Sequence, residues 1–341
     1  MKRNLVLRIP ARSLLGIPMS LSKEEQLDSA AFRGKLEEVT LLRSDPDLNI
    51  NWQDDGGCTP LYGACQAGHV GVVKYLLSLK GIDPNKPQNE EATPFYIACE
   101  NGHKEVVLLL LADHRIDPNK PDNTGTSSFF IACQNGHKEV ISLLLADQII
   151  DPNKADDKEV TPLFIACQRG HREVVSLLLA DPRIDPNKAN NEGLTPFHVA
   201  CQNGHKEVVS LLLADPRIDP NKPQNRGATP FCCACQNGHK EVVSLLLADP
   251  RIDPNMPIND QCTPLWFASR YGHLVVVQQL LASGREIDTR KRSTFNNSSS
   301  RISLPWWSFI LTPSWSSTRD WPTLTPRDSL EYVPGSPLKS K

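Results

Sequence analysis

The sequence predicts an all-α solenoid, built of stacked helix-turn-helix units joined by hairpin-like loops. Three observations carry that prediction. The twenty residues QNGHKEVVSLLLADPRIDPN at 202–221 recur letter for letter at 236–255, and looser copies start at Glu100, Gln134 and Gln168. Glycine recurs every 34 residues, at Gly34, Gly68, Gly102, Gly136, Gly170, Gly204, Gly238 and Gly272. Each interval also holds two short apolar stretches separated by that glycine. Self-similarity at a period of about 20–50 residues marks units that bury their apolar faces only by stacking.

The elements of one unit, 187–220, follow in order. Thr195-Pro196 reads as a helix start: the Thr hydroxyl accepts from a free N–H of the first turn, and Pro suits the first helical position. The short helix FHVACQN follows and stops at Gly204, a residue that tolerates left-handed backbone. A second helix, HKEVVSLLLA, carries Val208, Val209, Leu211, Leu212 and Leu213. That apolar surface faces its partner helix and the next unit. DPRIDPN ends the helix, because each Pro disfavours helical geometry in the residue before it. Ile218 is expected beneath the loop, while NKPQNRGA turns outward as a hairpin tip.

At these residues a resemblance is plain. GLTPFHVACQNGHKEVVSLLL (193–213) resembles the ankyrin repeat, whose hallmark is T-P-L-H-x-A followed by G-H-x-x-V-V-x-L-L. The match runs from about Ser22 to Ile287. Two features depart from the family pattern. The period is 34, lengthened by ADPRIDPN. The His of T-P-L-H stands only at His198; its counterparts are Tyr62, Tyr96, Phe130, Phe164, Cys232 and Trp266. Aromatic packing is expected to replace the family's Thr–His bond in the other units.

The ends read as caps. Ser22 and Glu25 form a capping-box pattern, and SKEEQ is polar. Gln279 replaces the Leu of internal units, although Leu274 and Val275 replace Lys240 and Glu241. The boundaries expected are an N-terminal extension at 1–21, the repeat domain at 22–287, and a Ser/Thr/Pro/Trp-rich tail at 288–341. Both extensions have the composition of disordered chain. The tail holds four of the six tryptophans. Its segment LPWWSFIL (304–311) reads as a docking motif or as a cover for the last unit's apolar face.

Little in the composition points to chemistry. Lys and Arg number 37 against 39 Asp and Glu, a net charge of −2, so there is no general attraction to nucleic acid or membrane. No apolar run approaches the roughly 20 residues a bilayer requires. Of ten cysteines, six (Cys65, Cys99, Cys133, Cys167, Cys201, Cys235) repeat as one position. They read as small buried hydrophobes in a reducing compartment. Cys-x-x-x-His, as in Cys99/His103, resembles half of a zinc site, but a closed site needs four converging ligands and the repeat frame already explains the spacing. No phosphate-binding glycine loop, nucleophile elbow or HExxH is present. The expectation is therefore no enzyme, no catalytic residue, no cofactor and no metal.

Variation between units collects in the hairpin tips: QNEEA (88–92), DNTGT (122–126), DDKEV (156–160), NNEGL (190–194), QNRGA (224–228) and INDQC (258–262). The resemblance implies binding through these tips and the adjoining concave face. The expected function is thus a non-enzymatic protein-protein interaction scaffold, with Gln88, Glu90, Thr124, Lys158, Glu192, Arg226 and Asp260 as partner-binding candidates. The alternative is an adaptor that recruits an enzyme, such as a ubiquitin ligase or kinase, through its tail. The partner is expected to be a protein, with no nucleic acid and no membrane, and the chain a monomer in the cytoplasm. The nucleus is an alternative. So is a mitochondrial address in residues 1–23, which hold no acid; translation from Met19 would remove most of it. The lysines Lys86, Lys120, Lys154, Lys188 and Lys222 are expected to be neutralised by Asp83, Asp117, Asp151, Asp185 and Asp219.

Overall fold

In the computed structural model the described residues are 21–289. The expectations for the N-terminal extension and the tail lie outside the described residues. Sixteen helices and no strand are found among the described residues, as eight pairs. The pairs are α1 (Lys23–Phe32) with α2 (Leu36–Leu42), α3 (Pro60–Ala67) with α4 (Val70–Leu77), α5 (Pro94–Glu100) with α6 (Lys104–Leu111), and α7 (Ser128–Asn135) with α8 (Lys138–Ala146). They continue with α9 (Pro162–Arg169) and α10 (Arg172–Ala180), α11 (Pro196–Gln202) and α12 (Lys206–Ala214), α13 (Pro230–Gln236) and α14 (Lys240–Ala248), then α15 (Pro264–Arg270) and α16 (Leu274–Ala282).

Each first helix starts as the sequence reading expects. In the second to eighth pairs a Thr or Ser hydroxyl accepts from the N–H three residues on, as Thr93 does from Tyr96 (3.1 Å) and Thr229 from Cys232 (3.2 Å). The cap survives without the family's His. His198 adds a second bond, its Nδ1 lying 2.8 Å from the Thr195 hydroxyl, and its Nε2 reaches the Ala228 carbonyl at 3.1 Å. The fourth unit differs: Ser127 caps and Ser128 stands where the other capped units carry Pro, and the buried Ser128 hydroxyl has no hydrogen-bond partner.

The main core is continuous along the stack, with a small second cluster around Ala228, Cys232 and Cys233. Ala200 and Cys201 are fully buried, as are their Ala-Cys counterparts in the second to seventh units. These small residues let first helices pack against each other along the row, while second helices pack against their neighbours behind them. In α12, Val208, Val209 and Leu212 are buried, and Leu211 and Leu213 are half-buried against the core. Ile218 lies beneath its loop with 4% exposure, as expected.

The histidine that follows each linking glycine fastens one unit to the one before. His103 Nε2 is bonded to the Gln66 carbonyl at 3.0 Å, His205 to that of Gln168 at 3.0 Å, and the series runs unbroken from His69 to His273. This explains the Cys-x-x-x-His recurrence without a metal. It also gives the glycine a second reason to be glycine. Gly204 sits at φ +75°, and a Cβ there would come within 2.5 Å of His239.

The loops are tied by asparagine. Asn187 Nδ2 donates to the Arg217 carbonyl (2.6 Å) and its Oδ1 accepts from Asp219 N–H (3.3 Å), one rung of a ladder running along the solenoid. Among the described residues no ion pair joins the ladder lysines to Asp83 and its equivalents. Those aspartates accept N–H groups of their own loops, as Asp185 Oδ1 does from Asn187 (3.0 Å). The lysines instead reach backwards, Lys120 to Glu91 (3.8 Å), Lys188 to Glu159 (3.1 Å), and Lys86 and Lys222 to the carbonyls of Asn51 and Asn187. The last unit's outer surface is partly apolar, in line with Leu274 and Val275 standing where internal units carry Lys and Glu. Gln279 Oε1 is buried without a partner, and Tyr271, Leu274 and Val275 are each at least 50% exposed at the end of the described stack.

Candidate functional site: the row of hairpin tips

A tip is built by the residue that opens it. Asn190 Oδ1 accepts the N–H groups of Glu192 (3.0 Å) and Leu194 (3.0 Å), and Asn190 N–H donates to the Leu194 carbonyl (2.9 Å). Asx turns of this kind fix a reversal without a regular strand. Gln88 does the same work with its amide oxygen on Glu90 N–H (2.5 Å) and is half-buried. Of the seven candidates it is therefore the turn builder, and the structure does not present it alongside the others.

The other six form a row. Glu90, Thr124, Lys158, Glu192, Arg226 and Asp260 are all exposed, one per tip at 34-residue spacing. Their backbones are pinned: the carbonyls of Glu90, Thr124, Lys158, Glu192 and Arg226 each accept an N–H from the next tip, at 3.0–3.3 Å. With carbonyl groups engaged between tips, the exposed side chains project from a fixed backbone. Thr124 is held further, its hydroxyl donating to Asp122 Oδ1 at 2.7 Å.

Close approach between tips dictates the residue beside each candidate. Gly193 lies at φ +78°, where a Cβ would fall 2.4 Å from Asn225 Oδ1. In three tips the same register is taken by non-glycine residues in left-handed backbone, Glu91 (φ 65°), Glu159 (φ 59°) and Gln261 (φ 64°). Strain of this sort costs on the order of 1 kcal/mol. Glu91 and Glu159 reach Lys120 and Lys188 from this backbone. Sequence reasoning missed these carboxylates, although their register against Gly57, Gly125, Gly193 and Gly227 was the available signal.

The groups with reactive potential are used structurally. The repeated thiols are free and fully buried, and burial pushes the Cys65, Cys99, Cys133, Cys167, Cys201 and Cys235 thiols well above their ordinary range. A thiol held protonated is a poor nucleophile and a poor metal ligand. Burial also lowers His198 to about 4, against the opposing pull of its bond to the Ala228 carbonyl. Among the described residues no group of three or more His, Cys, Asp and Glu side chains is placed to hold a metal ion, and no helix is long and apolar enough to cross a membrane.

A rigid stack of helix pairs carrying one pinned, variable tip per unit defines a repeat-built interaction domain. The family described as Ankyrin repeats (3 copies) matches residues 27–122, 79–156, 97–190, 129–224 and 217–291, and the chain belongs to the ankyrin-repeat family. Ankyrin repeats are in general protein-protein interaction modules.

Proposed function

We propose that this chain is a non-enzymatic scaffold that grips a partner protein along the row of hairpin tips and the adjoining concave face. One observation carries the reading most directly. Positions that vary between units, Glu90, Thr124, Lys158, Glu192, Arg226 and Asp260, are the ones presented to solvent on a hydrogen-bonded backbone. A pre-ordered surface of this kind loses little conformational entropy on binding. Drift in unconstrained turns accounts for exposed variation but not for a backbone tied from tip to tip. The mixed signs of the row favour a protein partner over nucleic acid. The ten free thiols support a reducing compartment, and the reading takes the chain as a cytoplasmic monomer.

The test is a combined substitution, Glu90→Ala, Lys158→Ala, Glu192→Ala and Arg226→Ala. Proteins co-purifying with the parent chain are expected to be reduced at least tenfold with the variant, while its melting temperature stays within about 2 °C. These side chains are exposed, and surface changes of this type usually fall within about 0.5 kcal/mol. Unchanged capture by a folded variant would remove the tips from the binding surface.

A further inference from the structure

The junction between the third and fourth units is fastened differently from the others. At five of the other six junctions an arginine ties the linking loop to the unit before it; Gly81 holds that register between the first and second units. Arg115 Nη2 donates to the Leu77 carbonyl (2.8 Å), Arg183 to that of Leu145 (2.8 Å), Arg217 to Leu179 (2.9 Å) and Arg251 to Leu213 (2.8 Å). Arg285 reaches the carbonyls of Leu247 (3.4 Å) and Ile252 (2.7 Å). The register between Arg115 and Arg183 falls on Ile149, which is 68% exposed and has no donor to offer the Leu111 carbonyl.

Two further bonds are missing from the same loop. Asparagine rungs join Asn51 to Asp83 (2.9 Å), Asn85 to Asp117 (2.9 Å), Asn153 to Asp185 (3.1 Å), Asn187 to Asp219 (3.3 Å), Asn221 to Asp253 (3.0 Å) and Asn255 to Asp288 (2.7 Å). Among the described residues Asn119 keeps one half of its rung, Nδ2 donating to the Ile149 carbonyl (3.0 Å), while the other half, from Asp151 N–H, is not made. The turn bond made by Ile116, Ile184, Ile218 and Ile252 N–H to the aspartate carbonyl three residues back is likewise absent at Ile150. All three losses fall at the base of the hairpin, beside the ends of α6 and α8.

The tip end of the same junction stays fastened, with one tie of its own. Tyr96 Oη donates to the buried Asp122 carboxylate at 3.2 Å, a bond that Phe130 and Phe164 have no hydroxyl to repeat one and two units on. Lys120 pairs with Glu91 at 3.8 Å, and Asn123 N–H donates to the Glu90 carbonyl at 3.0 Å.

We infer that the junction between the third and fourth units is a hinge. It pivots where the tips remain bonded and opens at the loop base, where α6 and α8 part. Local opening follows the places with fewest buried contacts and bonds, and hinges are a few element-terminal residues that absorb the change. The motion alters the angle between the first three units and the remaining five, and so the curvature of the tip row, whatever that row binds.

Hydrogen exchange on the full-length chain tests this. The last turn of α6 (Leu109–Leu111) is expected to be protected at least tenfold less than the last turn of α10 (Leu177–Leu179), after correction for intrinsic rates. Ile149→Arg should bring the two turns level, and because Ile149 is exposed the variant has room to fold. Arg217→Ile should reproduce the loss of protection at α10. Equal protection in the parent chain overturns the hinge. So does a difference that persists in Ile149→Arg, or an α10 turn indifferent to Arg217→Ile.

Discussion

At the scale of single residues, His198 sits in an environment opposed to charge. It lies fully buried between the Thr195 hydroxyl and the Ala228 carbonyl, and burial lowers it from 6.5 to about 4. The unfolded chain therefore takes up a proton near pH 6.5 that the folded chain refuses until about pH 4. Stability is full above pH 6.5 and is lost as pH falls through that interval. Each unit of the gap corresponds to about 1.4 kcal/mol. Between pH 7 and pH 5 the parent chain should lose roughly 2 kcal/mol more than His198→Phe, a side chain already accommodated at Phe130 and Phe164. Urea unfolding of the two proteins across that range measures the difference; parallel pH profiles would contradict it. His198 was legible as the family's histidine, but its carbonyl partner 30 residues on was not, because that contact depends on how the next hairpin folds over the ring.

At the scale of elements, helix starts and stops were readable because their chemistry is local. Thr-Pro and the linking glycines place first helices within a residue or two, as found for Pro196–Gln202. What the sequence concealed were ties across units. The histidine series, the asparagine rungs and the backward reach of Lys120 and Lys188 join residues about 30 apart, and only the stacking geometry brings them together. The lysine ladder shows the same limit: Asp83 and its equivalents accept N–H groups of their own loops, and Lys120 and Lys188 reach carboxylates of the preceding tip. The fourth unit offers a direct test of local chemistry. Ser127 has the extended backbone (φ −82°, ψ 162°) that a following proline requires, and Ser128 buries a hydroxyl without a partner. Ser128→Pro removes that hydroxyl and presets the first helical φ, so it should raise the unfolding free energy by about 1 kcal/mol. A lower midpoint in urea would show that the Ser128 hydroxyl or its N–H is needed.

At the scale of the whole molecule, stability and presentation come from the same source. Each unit touches only its neighbours, so the described stack is a chain of similar interfaces. The small Ala-Cys pairs set the closeness of those interfaces, and that closeness brings successive tips within one hydrogen bond of each other. The tip row is thus a consequence of core packing, held out by a backbone hydrogen-bonded from tip to tip. The exposed row was legible in outline, since six of the seven residues singled out from the sequence stand in it, and Gln88 fell out because turn building cannot be told from presentation without coordinates. The claim that the row is the contact surface is tested most directly by a photo-crosslinking side chain placed in the intact protein, in turn at Thr124, at Glu192 and at the exposed second-helix positions Ser176 and Ser210. Covalent adducts with another protein are expected from positions 124 and 192 and not from 176 or 210; adducts from the second helices with none from the tips would contradict it.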